Sequence, residues 1–96
     1  MEDYGDKIYT NPYSWNMEAN MLYVEQPAGV GYSLVSDESQ LNTNDEVSSS
    51  DFLQAVVSFF DKFGPFRKNS LWVTGESYGG IYVPWLAKRI IEYNAA

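Results

Sequence analysis

Two compact apolar runs alternate with two stretches of helical periodicity along this chain. The first run covers residues 19–25 and ends at Gln26-Pro27-Ala28-Gly29, and the second covers residues 70–74. Short apolar runs that contain β-forming residues and are bounded by turn residues are typical of buried strands. The pattern therefore predicts one strand over residues 20–25 and another over residues 70–74.

A helical stretch follows each predicted strand. Thr43 and Glu46 have the spacing of a capping box, which predicts a helix that begins there and ends at Gly64-Pro65. A second helix is predicted after residue 80, and Pro84 is compatible with it because it lies in the first turns. The apolar positions that define the two helical faces are Phe52, Val56, Phe59, Phe60 and Phe63, then Ile81, Trp85, Leu86, Ile90 and Tyr93. We interpret the phenylalanine-rich face as core packing, and the polar stretch over residues 33–50 as a loop.

The order strand, helix, strand, helix predicts the α/β fold class, with parallel strands joined by a right-handed crossover. Parallel strands normally belong to sheets of several strands that are covered on both faces. Because two strands are too few, we expect residues 1–96 to form one partial domain, a β-α-β-α segment of a larger sheet. Pairing with a complementing chain is the alternative.

Charge and composition exclude several classes of function. The formal net charge is -7, from thirteen acidic and six basic residues, so phosphate backbones and anionic lipids are repelled. No apolar run approaches the roughly 20 residues that span a bilayer, and the first residues lack the features of a signal peptide. The absence of both Cys and His excludes a conventional zinc site. We therefore predict no nucleic-acid partner, no membrane span, no signal peptide in this chain, no metal and no cofactor.

The motif that carries chemistry is Gly75-Glu76-Ser77-Tyr78-Gly79, which fits the G-x-S-x-G nucleophile elbow. A sharp turn between strand and helix gives the serine a strained conformation, and the two glycines prevent clashes around it. Ser77 is then the predicted catalytic nucleophile, and the amide of Tyr78 is placed to donate to an oxyanion. An ordinary glycine-rich turn is the alternative.

Two interpretations of Glu76 are open. A carboxylate beside a turn is commonly a solvated surface group. Beside a reactive serine, it could instead bind the carboxylate of a substrate through a shared proton, because two unprotonated carboxylates would repel each other. The second interpretation favours activity at acidic pH.

Residues 27–33 contain two glycines spaced as in phosphate-binding loops. The lysine of a P-loop is absent, so we exclude nucleotide binding. A loop at the carboxyl end of a predicted parallel strand lies where α/β sheets form their clefts, and these residues could line a site there.

Three segments, in order, resemble the signatures of the serine carboxypeptidases. They are residues 11–16 (NPYSWN), residues 19–33 (ANMLYVEQPAGVGYS) and residues 75–84 (GESYGGIYVP). The resemblance implies an α/β-hydrolase fold and a Ser-Asp-His triad that acts on peptide or protein C-termini through an acyl-enzyme, in vacuoles, in lysosomes or after secretion. By position, it makes Ser77 the nucleophile, the Tyr78 amide an oxyanion donor and Glu76 a ligand of the substrate's terminal carboxylate.

The same resemblance shows what this sequence lacks. It has no histidine and no Asn-Gly-Gly-Pro-Gly segment, which in the family supplies the other oxyanion donor. By the resemblance, the aspartate and the histidine of the triad are both expected far beyond residue 96. A serine hydroxyl needs a neighbouring base to become a strong nucleophile. We therefore expect the isolated chain to be inactive. Two alternatives to a carboxypeptidase remain open: an acyltransferase of similar sequence, and a non-catalytic structural or interaction fragment.

Overall fold

The computed structural model describes residue 5, residues 7–41 and residues 43–96. Its regular structure is helical, with α1 at Asp45–Lys62 and α2 at Gly79–Ala95. Short 3-10 helices lie at Trp15–Met17, Glu38–Leu41 and Gly64–Lys68. Both helices that the periodicity predicts are confirmed, and α1 ends just before the predicted stop at Gly64-Pro65.

The predicted strands are absent, so the α/β fold class with parallel strands is wrong for this structure. Residues 20–25 and 70–74 have no regular secondary structure, and no β-strand occurs among the described residues. No backbone hydrogen bond joins the two runs. A strand is stabilised by hydrogen bonds to a neighbouring strand, and its propensity expresses the fit to a pleated surface. Without that surface the apolar side chains are exposed, Tyr23 by 73% and Trp72 by 85%.

Helix α1 begins with a cap other than the predicted one. The N-cap is Asn44, whose Oδ1 accepts a hydrogen bond from the Val47 amide at 2.9 Å. The Thr43 hydroxyl donates to the Asn44 carbonyl at 3.3 Å, so the predicted Thr43–Glu46 capping box is wrong. Asparagine is among the best N-cap residues, and the acidic Asp45 and Glu46 in the first turn interact favourably with the helix dipole.

The core lies between α1 and α2. Leu86 of α2 is 1% exposed, and Val56 of α1 is also buried. Ser48 and Ser49 are buried as well, so the predicted loop over residues 33–50 is wrong for its last part, which is helical and enters the core. Full burial of a leucine side chain contributes about 1.5–3 kcal/mol, and Leu86 is the largest side chain in the described residues with so little exposure.

A cluster of aromatic rings extends this packing at the end of α1. The ring centroid of Phe59 lies 5.4 Å from that of Phe60, 5.0 Å from that of Phe63 and 6.1 Å from that of Phe66. The first pair is edge-to-face, a favoured geometry for aromatic side chains. The predicted core packing of the phenylalanine-rich face is therefore confirmed only in part: Val56 is buried, but Phe63 is exposed and the other phenylalanines of this face are half-buried.

Arg89 joins α2 to the first turns of α1. Its Nε donates to Ser49 Oγ at 3.2 Å, and its Nη2 donates to the Glu46 carbonyl at 3.1 Å. The guanidinium forms ion pairs at 3.6 Å with Glu46 and with Glu92, and it lies 5.9 Å from the ring centroid of Trp85. Arg89 thus fixes α2 to α1 through several donors of one planar group, a use to which arginine is well suited.

Helix α2 and the turn before it approach α1 at several points. Tyr78, directly before α2, contacts Asp45 at the start of α1, whereas Tyr93 lines a groove with Leu53 and Val57 farther along α1. The start of α2, where the G-x-S-x-G motif lies, is therefore next to the start of α1.

Candidate active site

The G-x-S-x-G motif forms a tight turn at the start of α2. The amide of Gly79 donates to the Glu76 carbonyl at 2.9 Å, and the amide of Gly80 donates to the Ser77 carbonyl at 3.0 Å. Ser77 has a φ of 53°, and among the described residues it is the one non-glycine residue with a positive φ. The left-handed region costs a residue with a side chain about 1–2 kcal/mol. Strained residues of this kind are concentrated at functional sites.

The side chain of Ser77 lies on the surface. The residue is exposed, and its hydroxyl makes no hydrogen bond with any described residue. The hydroxyl is therefore accessible both to a substrate and to a base from outside this part of the chain.

The two glycines of the motif have different surroundings. A Cβ at Gly75 would lie 2.8 Å from Gly79 Cα and 3.2 Å from Val83 Cγ2. Backbone atoms cannot yield to such a contact as a flexible side chain can. At Gly79, in contrast, a Cβ would meet nothing within 4 Å. The close approach of residues 75 and 79 thus requires glycine at position 75.

Within the described part of the chain, the amide of Tyr78 is unpaired at the start of α2. Tyr78 is the N-cap of α2, and its carbonyl accepts from the amides of Ile81 at 2.9 Å and Tyr82 at 3.2 Å. Its own amide donates to no oxygen of the described residues. Unpaired amides at a helix N-terminus carry partial positive charge and bind anions well. This amide can therefore donate to negative charge that develops next to Ser77.

The side chain of Tyr78 contacts both helices. Its hydroxyl donates to Asp45 Oδ1 at 3.0 Å, and its ring lies edge-on to the Tyr82 ring at 4.9 Å. The hydrogen bond to the Asp45 carboxylate, together with the negative charge of that group, raises the pKa of the Tyr78 phenol. The phenol is thus protonated and acts as a donor throughout the physiological pH range.

Glu76 precedes the nucleophile and is exposed. Its carboxylate makes no hydrogen bond or ion pair with the described residues. A free carboxylate beside Ser77 is compatible with both interpretations of Glu76.

The loop over residues 27–33 is organised by Glu25. The Glu25 carboxylate accepts from the Tyr32 amide, and the Ser33 hydroxyl donates to the Glu25 carbonyl. A Cβ at Gly31, whose φ is 58°, would collide with that carboxylate. An open groove of about 450 Å³ is lined by Tyr23, Val24, Glu25, Tyr32 and Ser33. No hydrogen bond, ion pair or ring contact of the described residues joins the loop to the elbow.

Two contacts of α1, one with Tyr78 and one with α2, were not predicted from the sequence. Asp45 and Arg89 reach their partners across sequence separations of 33 and 40 residues respectively. Charged residues on the surface of an amphipathic helix carry no signal that distinguishes those with distant partners. Only the folded arrangement of α1 and α2 identifies them.

Neither a base for Ser77 nor a metal site is found in the described residues. The sequence contains no histidine, and no group of acidic residues in the described part of the chain could hold a metal ion. Among the same residues, no helix has the length and apolar character needed to cross a membrane.

Comparison with known proteins places the chain in a family. The sequence profile of the serine carboxypeptidases matches residues 1–96. A serine carboxypeptidase of Caenorhabditis elegans is 44% identical over 92 residues, which are 96% of this chain and 19% of the relative. A serine carboxypeptidase-like protein of Arabidopsis thaliana is 42% identical over 92 residues, with 96% of this chain and 20% of the relative covered.

A relative from Dictyostelium discoideum, a member of the serine carboxypeptidase S10 family, is 44% identical over 92 residues, with 96% and 16% of the two chains covered. The chain thus spans about a fifth of the length of the curated relatives it matches. No solved structure matches the chain. The profile match over the whole chain and the identities above 40% show that this chain belongs to the serine carboxypeptidase family.

Proposed function

We propose that Ser77 is the nucleophile of a serine-type carboxypeptidase and that this chain supplies the elbow-bearing segment of the active site. The observation that carries the proposal is the φ of 53° at Ser77, in a turn that leads directly into α2. An ordinary glycine-rich turn has no need of a strained serine. A nucleophile elbow does, because the strain directs the hydroxyl out of the turn.

The proposed reaction begins with attack of Ser77 Oγ on the carbonyl carbon of the last peptide bond. A histidine from outside this chain takes the hydroxyl proton and then gives it to the leaving amine as the C–N bond breaks. The amide of Tyr78 donates to the oxyanion of the tetrahedral intermediate, a contribution that is worth about 10²–10³-fold in kcat in other serine enzymes. Water then hydrolyses the acyl-enzyme and restores the serine hydroxyl.

Glu76 is proposed to bind the terminal carboxylate of the peptide. Its own carboxylate is exposed beside Ser77 and has no partner among the described residues. Two carboxyl groups can form a strong hydrogen bond when they share a proton, which requires acidic pH. We therefore propose peptide and protein C-termini as substrates and an acidic setting, such as a vacuole, a lysosome or an acidic exterior, as the site of action.

The chain itself lacks the base, and this favours a second candidate for the isolated polypeptide. With no histidine in the sequence, Ser77 has no imidazole partner within its own chain. We propose that the isolated chain is catalytically inactive and that the base comes from a complementing chain or from further sequence of the same protein.

The test uses a hybrid enzyme, in which this chain replaces the aligned segment of the Caenorhabditis elegans serine carboxypeptidase. The hybrid is expected to release C-terminal residues from a blocked peptide at acidic pH, and Ser77→Ala is expected to abolish this activity without changing the circular dichroism spectrum. Activity that survives in Ser77→Ala would refute the assignment. Mass analysis of products formed with an alcohol present separates hydrolysis from acyl transfer.

A further inference from the structure

In the described part of the chain, a hydrogen bond from the Tyr78 hydroxyl to Asp45 Oδ1 at 3.0 Å joins the elbow to the start of α1. We propose that Asp45 is a positioning residue for the backbone amide of Tyr78. The inference rests on the proposed function, in which that amide donates to the oxyanion. It adds a residue of α1, distant in sequence, that determines where the amide lies.

The geometry of Tyr78 explains why its side chain can fix its backbone. The carbonyl of Tyr78 is bonded into the first turn of α2, and the ring packs against Tyr82 in the same helix. On the other side, the residue follows Ser77 in its left-handed conformation, which is unfavourable and can relax. The hydrogen bond from the Tyr78 hydroxyl to Asp45 holds the side chain of Tyr78 in place. It therefore opposes rotation of the peptide unit that joins Ser77 to Tyr78.

Asp45 is a suitable anchor because its own position is fixed. It is the first residue of α1 and directly follows the N-cap Asn44. The same turn is joined to α2 by Arg89, which donates to the Glu46 carbonyl at 3.1 Å and to Ser49 at 3.2 Å. The turn that carries Asp45 is thus joined to α2 by a second set of contacts at Arg89, which oppose movement of this turn together with the elbow.

The hydrogen bond between Tyr78 and Asp45 is charge-assisted. Its acceptor is a carboxylate, and hydrogen bonds to ionised acceptors are roughly twice as strong as neutral ones. The raised pKa of the Tyr78 phenol, caused first by this hydrogen bond and then by the charge of Asp45, agrees with a donor that retains its proton. A hydrogen bond between Tyr78 and Asp45 could position the Tyr78 amide for catalysis or could only stabilise the fold. The experiment must separate these two roles.

Four single variants of the hybrid enzyme and one double variant make this separation. Asp45→Ala removes the acceptor, and Asp45→Asn keeps an acceptor oxygen without the charge. Tyr78→Phe removes the donor but keeps the amide. The matched control is Asp51→Ala, because Asp51 is an exposed acidic residue of α1 that makes no hydrogen bond or ion pair with the described residues.

We expect Asp45→Ala and Tyr78→Phe each to lower kcat by about tenfold and to change KM by less than about twofold. The loss in kcat is limited because the Tyr78 amide remains in both variants and only its position changes. Asp45→Asn should recover most of kcat, and Asp51→Ala should match the parent. Asp45→Ala should cause no further loss in a Tyr78→Phe background, because both changes break the same bond.

Three results overturn the inference. The first is equal kcat in Asp45→Ala and Asp51→Ala. The second is a loss in the double variant that equals the product of the single losses. The third is a lower denaturation midpoint for Asp45→Ala with unchanged kcat, which assigns the bond to stability alone. These outcomes are distinct from failure of the proposed function, which would appear as activity in Ser77→Ala.

Discussion

The glycine at position 75 provides the sharpest test of the elbow geometry. In Gly75→Ala, the new Cβ would lie 2.8 Å from Gly79 Cα, and the Val83 Cγ2 atom would be 3.2 Å away. The valine side chain can move by a few tenths of an ångström, but Gly79 Cα belongs to the backbone of the turn that carries Ser77. Overpacking of this kind costs about 1–3 kcal/mol. Gly75 has no positive φ, so the penalty comes from the contact and not from the backbone conformation.

The matched control is Gly80→Ala, which lies in the first turn of α2, five residues after Gly75. A Cβ at Gly80 meets nothing within 4 Å. Alanine is favoured over glycine within a helix by about 0.5–1 kcal/mol, so this variant should be as stable as the parent or slightly more stable.

The assay is urea denaturation of the hybrid enzyme, followed by circular dichroism, with the rate of Ser77 acylation measured on the same samples. Gly75→Ala should unfold at lower urea, with a free energy of unfolding reduced by about 1–3 kcal/mol, and its acylation should be slower because the turn has shifted. A Gly75→Ala variant that matches the parent in both measurements would show that residues 75 and 79 do not approach each other as described.

Three further predictions concern the core, the strained serine and the tyrosine. Leu86→Ala should lower the free energy of unfolding, measured by urea denaturation, by about 2–5 kcal/mol. The control Ile91→Ala, at a position 69% exposed on the same helix, should change it by less than about 0.5 kcal/mol. Equal losses in the two variants would contradict the assigned core. The free energy of unfolding of Ser77→Gly should exceed that of Ser77→Ala by about 1 kcal/mol, because glycine adopts a positive φ without strain. Equal urea midpoints for the two variants would argue against the left-handed turn. Because the pKa of the Tyr78 phenol is raised, the hydrogen bond to Asp45 stabilises the fold below pH 10.0, and this stabilisation is lost as the pH rises through the raised pKa. Spectrophotometric titration should therefore show one tyrosine that ionises late, and Asp45→Ala should remove this late ionisation. A titration curve that Asp45→Ala leaves unchanged would refute the contact.

The helices could be predicted from the sequence because their determinants are local. The spacing of Phe52, Val56 and Phe59 defines one face of α1, and Gly64-Pro65 lies just beyond its end. Such periodicity and stop signals act within a few residues of each other. The cap was placed one residue early because Thr43 and Asn44 are adjacent residues that can both cap a helix, and their local geometry decides between them.

The strands could not be established in the same way. Residues 20–25 and 70–74 have the composition of strands, but a strand depends on hydrogen bonds to partners that its own sequence does not contain. In this structure those partners are absent from the described residues, and both runs remain irregular with exposed side chains such as Trp72. Composition therefore indicated which residues suit a sheet, but not whether a sheet is formed.

The candidate site was predictable only as far as it is contiguous. The glycine spacing around Ser77 is a local property, and the positive φ agrees with the turn that it predicts. The contacts of Asp45 and Arg89 are not local, since each joins α1 to α2 across more than thirty residues. Pairs of charged and polar residues are frequent on helix surfaces, and the sequence alone does not select those that meet.

The measurement that tests the central claim most directly is labelling with a serine-directed fluorophosphonate at mildly acidic pH, with the modified residue located by peptide mass mapping. The hybrid enzyme should take up one label at Ser77, and neither its Ser77→Ala variant nor the isolated chain, which has no histidine, should react. Labelling of another serine in the folded hybrid, or an unmodified Ser77 in a hybrid that hydrolyses peptides, would contradict the claim that this strained turn is the nucleophile elbow.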